Sequence, residues 1–292
     1  MLEVAAVPRR RRPALPGWAF GFVWTLTALA GVAAWFLFYG ISLSGFQESS
    51  AQHALYARLR TEIAQAIAPL GGNIKLGSPV AVLRVPQAGI DVVVVEGTTP
   101  GLLENGPGLQ SDTPLPGQAG VSVIMGRQTL FGGPFRHLNA LQRGDLIDVT
   151  TGQGTFGFRV LDLRYPGDPL PPPLKPGGSR LVLVTTAGTG WHGLGAPNQV
   201  LYVDTALIGK PVASPAGMPT ITRASEQPMH GDPGVLFVLV MWLQLLVVTV
   251  LAVIWVRSRW GRWQTWLAGA PAILAVLWIV SETAFQLLPN LI

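Results

Sequence analysis

Three long stretches of the chain, residues 18–43, 235–256 and 266–288, are apolar on every side, and the first two carry no charged residue at all. The third is interrupted only by Glu282. A bilayer core about 30 Å thick takes roughly 20 helical residues, so each stretch predicts a membrane-spanning helix. After the first, Ala54, Leu55, Leu59, Ile63 and Ile67 recur at helical spacing with polar residues between them. That spacing predicts an amphipathic helix over 44–70, stopped by Pro69 and the glycines at 71 and 72. From residue 78 the period shortens. Val-rich segments at 79–85, 90–96, 121–126, 145–149, 154–165, 180–185 and 199–205 alternate with turn signals such as "PQAG" (86–89). Regular short strands with punctuated turns predict a closed all-β barrel or a sandwich.

The resulting organisation is a basic N-terminus (1–17), a first span (18–43), an amphipathic helix with linker (44–76) and a β domain (77–208). A Pro-rich polar linker (209–234), a second span (235–256), a basic loop (257–265), a third span (266–288) and a short C-terminal segment (289–292) follow. "GDPLPPPLKPGG" (167–178) reads as a loop inside the β domain.

Composition sharpens this. Apolar residues make up 49% of the chain and charged ones 12%, too greasy a balance for an ordinary soluble protein. The first apolar block is too long for the apolar core of a signal peptide, so it is read as an uncleaved anchor. Arg9–Arg12 precede the first span, and Arg257, Arg259 and Arg262 lie between the second and third. The positive-inside rule puts both clusters in the cytoplasm and the β domain and C-terminus outside. Trp255, Trp260, Trp263 and Trp266 bracket the second cluster, as interfacial tryptophans do. The net charge of +5 is thereby topological, and no nucleic acid partner is expected. Cysteine is absent, which excludes thiolate catalysis, Cys–metal sites and disulfides. His53, His137, His192 and His230 are scattered, with no i, i+4 pair, so neither a metal nor a cofactor is expected.

The candidate chemistry centres on "RLVLVTTAGTGW" (180–191). An apolar strand runs out into Thr185, Thr186 and two glycines, a place where reactive groups are often held rigidly. Three separated stretches, "GSPVAVLRVPQAGIDVVVVEGTTPGLLENGPG" (77–108), "TPLPGQAGVSVIMGRQTLFGGPFRHLNALQRGDLI" (113–147) and "LVLVTTAGTGW" (181–191), resemble the sortases. The likeness is strongest to the class E, housekeeping-type group of actinobacteria. The resemblance implies an eight-stranded β-barrel in an extracytoplasmic, membrane-anchored protein, and transpeptidation of C-terminal sorting signals. That chemistry uses a Cys nucleophile, a His for proton transfer and an Arg facing the oxyanion. By the resemblance, Thr186 stands at the Cys position after the motif threonine Thr185, Arg127 at the His position, and Gln199 at or near the Arg position.

Three exchanges together imply a barrel kept for a purpose other than catalysis. Thr186 would need a neighbouring base; Arg127 stays protonated and cannot serve, leaving His192 or His137 as the candidates. A second reading keeps the cleft as a binding site formed by Arg127, Thr185, Thr186 and His192, for a peptide carboxylate, a sorting signal or a phosphate-bearing wall polymer. A third pairs Arg127 with a nearby carboxylate. In the membrane, Gln244, Ser281, Glu282, Thr283 and Gln286 exceed what a passive anchor needs. Glu282 either reaches headgroup water or, with Gln244 and Gln286, forms an interface. The expectation is therefore an inactive, sortase-like adaptor subunit of a cell-envelope complex, whose partners are membrane or envelope proteins, the bilayer and, in the binding reading, a sorting-signal peptide. The alternative is a cysteine-less transpeptidase.

Overall fold

The computed structural model describes residues 17–187, 200–215, 217, 219, 222–259 and 261–292. It divides into two compact units, residues 1–38 and 39–292. The first contributes helix α1 (Gly17–Phe38). The second opens with a π-helical turn (Tyr39–Leu43) and helix α2 (Ser44–Ala64). Helix α2 stops short of the predicted end because Ala66 takes a positive φ of 56°, which an α-helix does not accommodate.

Eight strands follow: β1 (Pro79–Val85), β2 (Ile90–Glu96), β3 (Gly108–Leu109), β4 (Gly120–Met125), β5 (Leu146–Thr151), β6 (Gly154–Arg164), β7 (Ser179–Thr186) and β8 (Val200–Ile208). They close into a barrel in the order β1-β2-β3-β4-β7-β8-β6-β5, which removes every free sheet edge. The barrel form thus decides between the two predicted architectures. Strands β1 and β2 span the residues the pattern predicts, joined by a turn in which Gly89 takes φ 65°. The pattern gave no strand at 108–109. That pair is held by tertiary register, parallel to β2 and antiparallel to β4. Inward residues such as Leu83, Val94, Ile124, Val149, Phe158, Leu183 and Val203 fill the barrel.

Described residues of the predicted linker 209–234 also contact the barrel. Val212 bridges to Gln118, Thr98 Oγ1 donates to the Glu226 carbonyl (2.7 Å), and the Ser111 N–H donates to Glu226 Oε2 (3.3 Å). Helices α3 (Leu236–Arg259) and α4 (Arg262–Phe285) then pack on each other. They consume most of the loop predicted at 257–265, because the helical pattern continues through the arginines. Three helical stretches, Gly21–Ala64, Pro233–Arg259 and Trp263–Phe285, are long and apolar enough to cross a membrane.

Candidate functional site at the rim of β4 and β7

Strands β4 and β7 are parallel neighbours, in register from Gly120↔Ser179 to Met125↔Val184. Parallel pairing brings their C-terminal ends to the same rim. The residues that follow β4, beginning at Gly126, therefore meet Thr185 and Thr186 at the end of β7. The Gly126 N–H donates to the Val184 carbonyl (3.0 Å), extending the ladder by one bond. Gly126 is required here: a Cβ would lie 2.5 Å from the Phe135 ring. The Phe135 N–H donates to the Arg127 carbonyl (3.1 Å), which closes the 127–135 loop on itself.

Arg127 is wholly buried. Its Nη2 donates to the Pro100 carbonyl (2.9 Å) and its Nη1 to the Ile292 carbonyl (3.2 Å). The guanidinium stacks over Phe131, 4.8 Å from the ring centroid. Burial pulls Arg127 down to about 10, with Glu104 acting in the opposite direction; it remains a cation at neutral pH. Burial likewise pushes Glu104 up to about 8, against the pull of Arg127 and with the Glu282 carboxylate adding to the rise. No hydrogen bond joins the guanidinium to Glu104 Oε1, which is buried without a partner. Arg127 is thus a structural cation holding two carbonyls, rather than a charge presented to solvent.

Thr186 is buried, and its Oγ1 donates to Gln128 Oε1 at 2.7 Å. The Gln128 N–H in turn donates to the Leu291 carbonyl (3.1 Å). Thr185 is buried with its hydroxyl unpartnered. The structure therefore brings Arg127, Thr185 and Thr186 to one rim and adds three residues the sequence reading missed: Gln128, Glu104 and Leu291. Gln128 adjoins Arg127 in the chain and was legible in that sense. Among the described residues no histidine is hydrogen-bonded to Thr186. His137 is exposed ahead of the short 3-10 turn at Leu138–Ala140, while His53 and His230 contact the Ser49 and Pro228 carbonyls. His192 and Gln199 lie outside the described residues. No cluster of three or more metal-ligating side chains occurs among the described residues.

The membrane-helix residues are placed as follows. Gln244 is exposed midway along α3. Glu282 Oε1 accepts from Gln47 Nε2 of α2 (3.3 Å), and Tyr39 Oη donates to Gln47 Oε1 (2.9 Å). Gln286 lies against Gly101 and hydrogen-bonds Glu104. The Ser281 and Thr283 hydroxyls donate to the Leu277 and Ile279 carbonyls one turn back. The polar end of α4 therefore meets this chain's own barrel and α2.

Residues 83–186 match the family model of the sortase domain. The match runs from within β1 to Thr186 at the end of β7. Among solved structures it is similar to a sortase D5 transpeptidase of Clostridium perfringens, at 24% identity over 56% of this chain and 98% of that one, TM-score 0.44. Sortase E of Streptomyces avermitilis gives 26% identity over 47% and 93%, TM-score 0.39. The SrtF sortase of Corynebacterium diphtheriae gives 21% over 52% and 94%, TM-score 0.40. No curated protein matches the chain.

Proposed function

We propose that this is a catalytically inactive sortase-type protein of the cell envelope, which serves as a structural or adaptor subunit of a membrane complex. The observation that carries the reading is the bond from Thr186 Oγ1 to Gln128 Oε1. An alcohol needs an adjacent base to become a nucleophile. An amide oxygen accepts a hydrogen bond but takes no proton at neutral pH, and the neighbouring guanidinium is already protonated. Loss of a nucleophile or its base in a serine hydrolase costs on the order of 10⁶ in rate; the chain has no thiol, and among the described residues no base is hydrogen-bonded to Thr186.

The barrel is proposed to face outside. The start of α3 and the end of α4 lie beside it, joined by the Asp232 N–H donating to the Gln286 carbonyl (3.1 Å). Arg257 and Arg259 sit at the far end of α3, about 36 Å away by helical rise. That separation suits a cytoplasmic basic turn and an outer domain. The partners proposed are other membrane or envelope proteins.

The test incubates the full chain, and a version ending at Leu287, with an LPxTG-type sorting-signal peptide and an amine acceptor. Neither should give transfer product or a covalent adduct by intact mass. An adduct that disappears in Thr186→Ala would establish the alternative, a cysteine-less transpeptidase. Purification from native membranes should bring down an envelope protein in fixed stoichiometry; recovery of this chain alone would overturn the adaptor reading.

A further inference from the structure

Strand β7 is buried on both faces along nearly its whole length. Leu181 and Leu183 point into the barrel. Val182 and Val184 point the other way and need a separate cover. That cover is a second apolar cluster in which they join Met125 of β4, Val200 of β8, Leu103 and Leu291. Leu291 belongs to the short segment after α4. This segment turns back on itself, the Ile292 N–H donating to the Pro289 carbonyl (3.3 Å), and Asn290, Leu291 and Ile292 are all buried.

The surrounding polar contacts follow the main chain of the segment. The Gln128 N–H donates to the Leu291 carbonyl, and Arg127 Nη1 donates to the Ile292 carbonyl. The Asn290 N–H donates to the His230 carbonyl (3.1 Å), and Asn290 Nδ2 donates to the carbonyls of Thr98 (2.9 Å) and Gln227 (3.0 Å). One apolar side chain in a pocket, with hydrogen bonds along the backbone on either side, is how a groove recognises a peptide.

We propose that the groove over β4, β7 and β8 is a peptide-binding site occupied in cis by residues 288–292 of this chain, so that any other peptide entering it must release the end of α4. The inference concerns the same rim as the proposed function but does not depend on the absence of catalysis. A segment tethered this closely has an effective concentration of about millimolar. With an intrinsic Kd of about 1 µM for the tail segment itself, any competing peptide would thus be weakened roughly a thousandfold in the intact chain. The ligand class is an apolar, turn-forming peptide with a leucine-sized anchor, and its arrival is transmitted to the membrane helix through Phe285 and Gln286.

The experiment uses the full chain and the chain ending at Leu287, each in nanodiscs, with a fluorescent peptide of sequence LLPNLI (287–292). The shortened chain should bind it at least about tenfold more tightly than the full chain, and a peptide carrying Leu291→Asp should not bind. Equal or absent binding by a folded shortened chain overturns the proposal. Should the shortened chain not fold, the absence of cysteine allows a second measurement on the full chain. Leu291→Cys should react with a maleimide at least about tenfold more slowly than Leu170→Cys, whose parent side chain is 79% exposed. Equal rates would overturn the plug and leave the proposed function standing, whereas a transpeptidation product would do the reverse.

Discussion

Helices α3 and α4 have the same length, 24 residues, and both read as spans. None of the described residues of α3 is buried. In α4, by contrast, the last turns bury Val280, Ser281, Thr283 and Phe285 against the rest of the chain. Hydropathy reports that a helix can lie in lipid; it does not report which part of it meets protein. The distinguishing sign is the run of small and polar residues at 281–286, placed where α4 meets α2 and the barrel. In lipid, apolar surface gives helices no reason to associate, so packing and hydrogen bonds do the joining. Both helices are long and apolar enough to cross a membrane, but only α4 has an end docked on the rest of the chain.

The strongest way to break this contrast is Phe285→Ala. Phe285 packs on Tyr39 (centroids 5.5 Å apart) and edge-on against Phe131 (6.0 Å). Its removal should cost about 3–5 kcal/mol, read as a large fall in Tm and exposure of residues 288–292 to protease. Phe237→Ala on α3, 73% exposed, should leave both readouts where they are. Equal effects would erase the distinction.

A smaller effect is expected from pH. Glu104, which meets Gln286 of α4 and faces Arg127 and Glu282, is raised from an ordinary 4.5 to about 8, mainly by burial. The folded state therefore holds a proton that the unfolded state has released between those values. Its stabilisation is complete below about pH 4.5 and is lost as the pH climbs through about 8. Tm should fall over that interval, and Glu104→Gln should flatten the profile. A Tm that instead rises with pH in the parent but not in the variant would reverse the assignment.

The smallest is Glu282→Leu, which strands Gln47 without its acceptor. A loss of about 0.6–2 kcal/mol in α4 docking is expected. Gln244→Leu on α3 should change nothing in the isolated chain, and a change in co-purified protein would mark α3 as the partner-facing helix.

Much of this architecture was legible in the chain. β1 and β2 announce themselves by valine periodicity and by a turn that ends in Gly89. The apolar blocks mark the three helical stretches that are long and apolar enough to cross a membrane. Strand β3 was not legible, since two residues carry no period and their pairing is decided by β2 and β4. The barrel contacts of the described residues in 209–234 were not legible, because they use a backbone carbonyl, an isolated bridge and one buried glutamate, none of which leaves a periodic trace. At the site, Thr185 and Thr186 stood out because a strand ending in paired threonines is odd locally, whereas Arg127 was reached only through the resemblance to the sortases. Leu291 did not stand out, for it is one leucine in an apolar tail. A signal was nonetheless present: a strand apolar on both faces, "LVLV" (181–184), requires a cover that the barrel interior cannot supply. The polar residues of α4 were recognised as contact residues, but their spacing could not say that the contact is with this chain itself.

The groove is finished well before its occupant is made. Its walls are complete once the chain has been synthesised through His230, whereas residues 288–292 come only after α3 and α4. At about 5–20 residues per second, translation leaves an interval on the order of 10 s between the two. During that interval the nascent barrel presents an apolar groove with an unclaimed N–H at Gln128 and unclaimed carbonyls at Thr98, Gln227 and His230. Whatever peptide is then at hand, including the tail of an older copy, meets no competitor in cis. Assembly with other chains is thus easiest during birth, and the arrival of residues 288–292 closes the opportunity.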